Sequence, residues 1–331
     1  MTTLDHILTS LVAPFGALVH PRFPLSVWYL AGTILFLLAI VALFHWRRNR
    51  RSLRGFWRVA LPKRLYLSAS AKLDYRFYVV NGVFGALVYG SLIATASLFH
   101  DLTVAGLGGL FGPGAAARGP DWGLTALTTI VAILALDFGY WFGHWMQHKN
   151  PVLWEFHKVH HSAEIMTPFT TWRQHPVEDF FMGNVMAVPM GFAHGALVFA
   201  FGAEAQALTL WEVNVLLLPY YVTFFHLRHS HVWMPVGGWL GRIVHSPAHH
   251  QIHHSDDPRH LNKNMGYVLS VWDWAFGTLH VPGKTERVRF GVGPESADYN
   301  SVWRLYALPF AKLWRRLRPK LRALAEGGRA V

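Results

Sequence analysis

The chain has 331 residues, 52 % of them apolar and 15 % charged, with a formal net charge of +12; so low a charged share, against roughly 25 % in ordinary soluble domains, favours one integral-membrane domain over two soluble ones. It has no cysteine, which excludes disulfides, zinc–thiolate sites and cysteine-held iron–sulfur clusters, so any redox metal must be held by nitrogen and oxygen. The basic residues sit beside apolar segments, which points to anionic lipid headgroups and argues against nucleic acid as a partner.

In chain order, residues 1–26 form an N-terminal segment, and residues 27–331 are read as a single membrane domain. The run Val27 to Phe44 has no basic leader before it and no small-residue cleavage site after it, so an uncleaved membrane helix is expected. Arg47, Arg48, Arg50, Arg51, Arg54, Arg58, Lys63 and Arg64 follow at once, which by the positive-inside rule sets this end in the cytoplasm. Phe77 to Phe99 is expected to cross outward, the glycine-rich stretch His100 to Trp122 to form an external loop, and Gly123 to Gly143 to return. A second hairpin is expected from Gly183 to Phe201 and from Ala207 to Phe225, its first arm weakened by Pro189 and His194. The resulting fold class is all-α: a bundle of about four or five membrane helices under a cytoplasmic, histidine-rich di-metal cap. Beyond Trp233 nothing is long enough to span; Ser246-Pro247 reads as a cap opening a short helix, and Val302 to Leu324 as a basic amphipathic helix on the headgroups.

The histidines are unevenly spread: sixteen of the 21 fall between His144 and His260, so their function is local. His144 and His148 form an HxxxH pair; His157, His160 and His161 form HxxHH; and His250, His253 and His254 repeat HxxHH about ninety residues on, with His226, His229, His231 and His249 nearby. On helices these spacings turn each set to one face, where imidazoles can converge on metal. Eight or nine candidate ligands exceed the three or four of a zinc site and match two metal ions. There is no HExxH to supply a zinc peptidase with its base, and no Glu-x-x-His pair of the kind soluble di-iron bundles use. Asp137 lies seven residues before His144 inside an apolar run, where an ionisable group is expected to serve a site; the role assigned to it is to accept a hydrogen bond from a ligating imidazole.

These boxes, together with Arg173-Gln174-His175-Pro176-Val177-Glu178, Asn264-Met265-Gly266, Trp272-Asp273 and Phe276-Gly277-Thr278, resemble the fatty acid hydroxylase/sterol desaturase superfamily of membrane di-iron oxygenases, over about residues 132–278. The resemblance implies that His144, His148, His157, His160, His161, His250, His253 and His254 are metal ligands. His229, in a segment that departs from the family by having His231 in place of asparagine, is the ninth; His226, His231 and His249 are weaker candidates. His175 and His249 are expected to act through hydrogen bonds, and Asp273 to be a buried partner for one of them. The implied cofactors are two iron ions with dioxygen as co-substrate, and the implied reaction is hydroxylation of a lipid C–H bond, on an acyl chain, sterol or isoprenoid, alkylglycerol or ornithine lipid. Desaturation at the same site is the nearest alternative. A histidine-rich metal transporter would string its histidines along a pathway, and a structural zinc site would need fewer. No haem or flavin module is apparent in the chain, so electrons are expected from a separate ferredoxin, cytochrome b5-like protein or reductase docking on the cytoplasmic face.

Overall fold

Long apolar runs become helices here, and polar caps, glycine and proline decide where they end. The computed structural model describes residues 15–46, 61–116, 121–202 and 205–327. Helix α1 spans Val27–Trp46 and α2 spans Ala69–Asn81, the latter capped by Ser68, whose side chain accepts from Ala71 N. Helix α3 runs from Gly85 to Phe111 and α4 from Trp122 to Lys149, where Asp121 accepts from the N–H groups of Gly123 and Leu124. Asn150 ends α4 and also caps α5, Pro151–His161, accepting from Val152 N and Leu153 N with Pro151 at the first helical position. Helix α6 spans Pro176–Phe201, again with proline first.

Three helical segments among the described residues, Gly90–Phe111, Trp122–Lys149 and Pro176–Phe201, are long and apolar enough to cross a membrane; α1 supplies a shorter apolar stretch, Val27–Ala42. Helices α3 and α6 run parallel, with Asn184 bonded to Ser91 at 3.1 Å and also to Thr95, and α4 runs antiparallel to α6. Small residues let the backbones approach, as packing within lipid favours. A Cβ at Gly139 would stand 2.8 Å from Met186 Cα, and one at Gly195 would stand 2.7 Å from His100 O.

Three sequence expectations change. The outward span expected over Phe77 to Phe99 falls instead at Gly90–Phe111, because α2 ends at Asn81 and a 3-10 turn over Gly82–Phe84 precedes α3. The external loop is shorter than His100 to Trp122, because α3 continues to Phe111 and stops only where Gly112 turns at φ 86°; isolated glycines cost a helix only about 1 kcal/mol each. The expected spanning arm Ala207 to Phe225 is not one helix. Residues Thr209–Leu210 and Val213–Asn214 form a two-stranded hairpin whose turn residues Trp211 and Glu212 both have positive φ. Leu208 N donates to Thr129 Oγ1 and Asn214 Nδ2 to Thr129 O, so the hairpin is tied to the flank of α4. Helical structure resumes over Leu218–Arg228 with a π-helical turn at Tyr221–Phe225.

The expected short helix after Ser246 is present as α7, Pro247–His253. A one-turn helix α8, Val271–Ala275, and the tail helix α9, Val302–Gly327, complete the chain. The tail docks by Leu305 into a core of Leu73, Phe77, Val159 and Tyr299, while Trp303, Phe310 and Trp314 stay exposed. Of the basic run used for orientation, Lys63 and Arg64 open a short helical turn, whereas Arg47 to Arg58 lie outside the described residues.

Gly139→Leu is expected to destabilise the bundle by about 1–3 kcal/mol through the forced separation of α4 and α6. Thermal unfolding in detergent measures this; an unchanged midpoint would mean that the two helices do not depend on that contact.

Candidate metal centre

The sharp reversal at Asn150-Pro151 folds α5 back beside the end of α4, so that the HxxHH box faces the HxxxH pair. Helix α7 brings the second box opposite, and the end of the Leu218–Arg228 segment adds His229. The outcome is two buried groups of imidazoles: His144, His148, His157, His161 and His253 in one, and His160, His229, His250 and His254 in the other, with one ring nitrogen of each residue within 4.8 Å of those of its group. Each HxxHH box feeds both groups. In the first, Nε2 of His157 lies 3.0 Å from that of His144 and 3.1 Å from that of His161, which is itself 3.1 Å from that of His253. In the second, Nε2 of His229 lies 2.9 Å from that of His250 and 3.2 Å from those of His160 and His254. The groups adjoin through His161 and His254, whose rings stack at 4.4 Å.

The outer ring nitrogens reveal the proton placement. His144 Nδ1 donates to Met265 O at 2.8 Å, His253 Nδ1 donates to Lys263 O at 2.8 Å, and His157 Nδ1 donates to Glu178 Oε1 at 2.6 Å. A neutral imidazole has one proton, so the Nε2 atoms of these three residues carry bare lone pairs. Those of His144 and His157 face each other at 3.0 Å in a buried space, an arrangement that repels unless a cation sits between. Separations near 3 Å are also those of ligand atoms about 2.0–2.1 Å from a shared ion. The donor set therefore fits metal, and imidazole suits iron, zinc and copper alike.

Burial and neighbouring imidazoles hold His157, His161, His229 and His254 well below the ordinary histidine range, and His250 is lowered by burial and then by the Arg228 guanidinium. His160 and His253 are lowered chiefly by burial, to about 3 and about 4. All are thus neutral at pH 7; in His250, whose Nδ1 accepts from the Arg228 guanidinium, the single proton lies on Nε2 and must leave that atom before it can hold metal.

Several sequence assignments are revised. Asp137 accepts from Val268 N at 2.8 Å, Leu269 N at 3.3 Å and Trp272 Nε1 at 3.0 Å, and not from an imidazole; it clamps the loop that follows Met265. Asp273 accepts from Met265 N, Gly266 N, Thr278 Oγ1 and Trp141 Nε1, and pairs with neither His249 nor His175. Two aspartates therefore anchor one loop, and that loop presents the carbonyl that orients His144. Gly266 fits because a Cβ there would stand 2.8 Å from His245 Nδ1 and 3.0 Å from Asp273 Oδ2. His175 caps α6, accepting from Val177 N, and its Nε2 meets Tyr306 O at 3.3 Å, away from both groups. His226, His231 and His249 belong to neither group; His249 Nδ1 faces Ser246 Oγ at 2.7 Å in the cap of α7.

The carboxylate that does meet a cluster imidazole is Glu178, part of the Arg173–Glu178 segment yet given no role from sequence. Arg173 is a second omission. It is buried and bonded to Asp74 at 3.0 Å, Ser162 Oγ at 2.9 Å, Tyr299 O at 3.1 Å and Val159 O at 3.2 Å, which locks the end of α5 in place. A smaller group, His260, His280 and Glu286, lies apart and shares no residue with the nine.

A cavity of about 520 Å³ opens onto the second group through His160 and His229. Its walls are mainly apolar and come from the membrane helices: Val88 and Leu92 of α3, Leu136 of α4, and Met182 and Met186 of α6.

Residues 129–278 match the fatty acid hydroxylase family. This stretch is similar to a fatty acid hydroxylase domain. The match encloses all nine clustered histidines, and the superfamily resemblance read from the motifs holds. Similar curated proteins are an alkylglycerol monooxygenase of Danio rerio, 27 % identical over 58 % of this chain and 39 % of its own length, and an ornithine lipid hydroxylase of Rhizobium tropici, 28 % identical over 52 % and 48 %. A Delta(7)-sterol 5(6)-desaturase of Gibberella zeae is 29 % identical over 49 % of this chain and 44 % of its own length. The chain thus spans less than half the length of these relatives. No solved structure matches it.

The metal-free protein is expected to lose stability as pH falls. A histidine lowered by folding binds its proton first in the unfolded chain. Stability is therefore full above about 6.5 and declines as pH drops towards the folded values, about 4 for His253 and about 3 for His160. Denaturant unfolding of the metal-free protein at pH 7 and pH 5 tests the sign; a midpoint independent of pH would contradict it.

Proposed function

We propose that this chain is a membrane-bound oxygenase that hydroxylates a C–H bond of a lipid, using dioxygen, two iron ions held by the nine clustered histidines, and electrons from a separate donor. One observation carries the reading: of two adjoining groups of neutral imidazoles, the second lines an apolar cavity built by membrane helices through His160 and His229. A transporter needs its ligands along a path, and a structural zinc site needs four; a site for oxidising a lipid needs both halves of this arrangement together.

The bound irons would supply the activation of dioxygen and the removal of hydrogen from carbon. The chain's residues position and exclude. His144, His148, His157, His161 and His253 would hold one ion, and His160, His229, His250 and His254 the other. Met265 O, Lys263 O and Glu178 fix three ring orientations, so the ligands do not need to reorganise on binding. Val88, Leu92, Leu136, Met182 and Met186 bury an acyl or isoprenoid chain and keep water from the reacting carbon, which lies against His160 and His229. An acid–base side chain is not required for this chemistry. The relatives include both hydroxylases and a desaturase, and a desaturase reading uses the same residues. We further propose that the metal end faces the cytoplasm, as the basic residues near α1 suggest, and that the donor docks there.

The purified protein in detergent is expected to hold about two irons per chain by elemental analysis, magnetically coupled when oxidised by Mössbauer spectroscopy. One zinc and no iron, even after anaerobic reconstitution, would falsify the oxygenase reading. His160→Ala and His253→Ala are each expected to abolish lipid oxidation and lower metal content together; full activity in either would remove that residue from the site. Glu178→Gln is expected to weaken metal retention about 10–100-fold in chelator competition, because His157 loses its carboxyl partner.

A further inference from the structure

The cavity that reaches the second histidine group contains a buried cation without a counter-ion. Arg228 is 3 % exposed and lines that cavity beside Tyr140, Tyr267, His160 and His229. Its Nη2 donates to His250 Nδ1 at 2.9 Å and meets Tyr140 Oη at 3.4 Å, while its Nε is buried with no hydrogen-bond partner. The guanidinium carbon stands 4.9 Å from the Tyr267 ring centre and 5.7 Å from that of Tyr140.

No carboxylate pairs with it among the described residues. Asp179, which also lines the cavity, accepts from Asn81 at 3.2 Å, and Asp137 is taken up by Val268, Leu269 and Trp272. The other fully buried guanidinium shows what a structural arginine receives here: Arg173 has Asp74 and three further acceptors. Arginine cannot shed its proton inside a protein, and aromatic faces and one neutral imidazole do not balance a desolvated charge. The missing partner is an anion that arrives with the ligand.

We infer that Arg228 anchors an anionic oxygen group of the lipid, a carboxylate or phosphate, and that the carbon oxidised lies within a few bonds of that group. The nearness follows from His250, since a single imidazole ring separates the guanidinium from the Nε2 atoms of the second group. The apolar walls between α3, α4 and α6 then hold the rest of the chain, so a lipid enters tail outward and is oxidised near its head. The oxidation rests on the oxygenase reading above; the binding does not.

The test is equilibrium binding to the purified, metal-loaded full chain in detergent. Two matched pairs serve as probes: hexadecanoic acid against hexadecanol, and lysophosphatidic acid against the monoacylglycerol of the same chain. At least one anionic member is expected to bind at least about 30-fold more tightly than its neutral twin, in line with the loss when a buried charge is deprived of its partner. Arg228→Gln is expected to abolish the difference and Arg228→Lys to retain part of it, with metal content measured in both because Arg228 also touches His250. Equal binding within both pairs by the unmodified protein overturns the inference, and needs no variant to do so. Tight binding of the anion with no oxidised product when dioxygen and a chemical reductant are supplied supports the anchor and counts against the oxygenase reading instead.

Discussion

The fold answers one electrostatic constraint: imidazole lone pairs must be aimed at each other in a space from which water is excluded. Left alone, each ring would turn its N–H inward and relieve the repulsion. The structure prevents this from outside, by giving the Nδ1 protons of His144, His157 and His253 strong acceptors. Those acceptors must themselves be immobile, and here the cost spreads outward. Met265 O is fixed because Asp273 holds the N–H groups of Met265 and Gly266, and Asp137 holds those of Val268 and Leu269. Glu178 is fixed at the start of a capped helix, and the end of α5 is locked by Arg173. Buried carboxylates and a buried guanidinium, expensive anywhere else, are justified as the outer frame of the inner set.

The membrane helices do a different task. Helices α3, α4 and α6 are packed through small residues into a bundle whose inner surface is a cavity, and only the last turns of α4 enter the histidine groups. The clustered imidazoles and the apolar cavity thus come from different parts of the chain, meeting at His160 and His229.

The convergence of the nine histidines was legible because helical spacing converts directly into direction: HxxxH and HxxHH place their rings without knowledge of any partner. What lay beyond reach were contacts spanning long sequence separations. Asp137 looked like a partner for a ligating imidazole because it shares a helix face with His144, yet its hydrogen bonds go to a loop some 130 residues away. Glu178 could have been found, since it closes the Arg173–Glu178 segment, but nothing local shows which imidazole it meets. Arg228 sits next to His229 in sequence, and its lack of a carboxylate appears only when every neighbour is in place. Hydropathy also treated residues 207–225 as a span, because it weighs side chains and misses a turn at Trp211-Glu212 and the backbone ties to Thr129.

Asn150 and Pro151 carry a consequence for how this sequence can change over time. One asparagine terminates α4 and begins α5, so no linker exists between the two histidine-bearing helices to absorb a change in length. Each residue added to or removed from a helix rotates all later positions of that helix by about 100°. A single inserted codon anywhere from His148 to His157 would therefore swing the His157, His160 and His161 set out of the interior. A substitution over this stretch leaves that register intact, whereas an insertion or deletion does not.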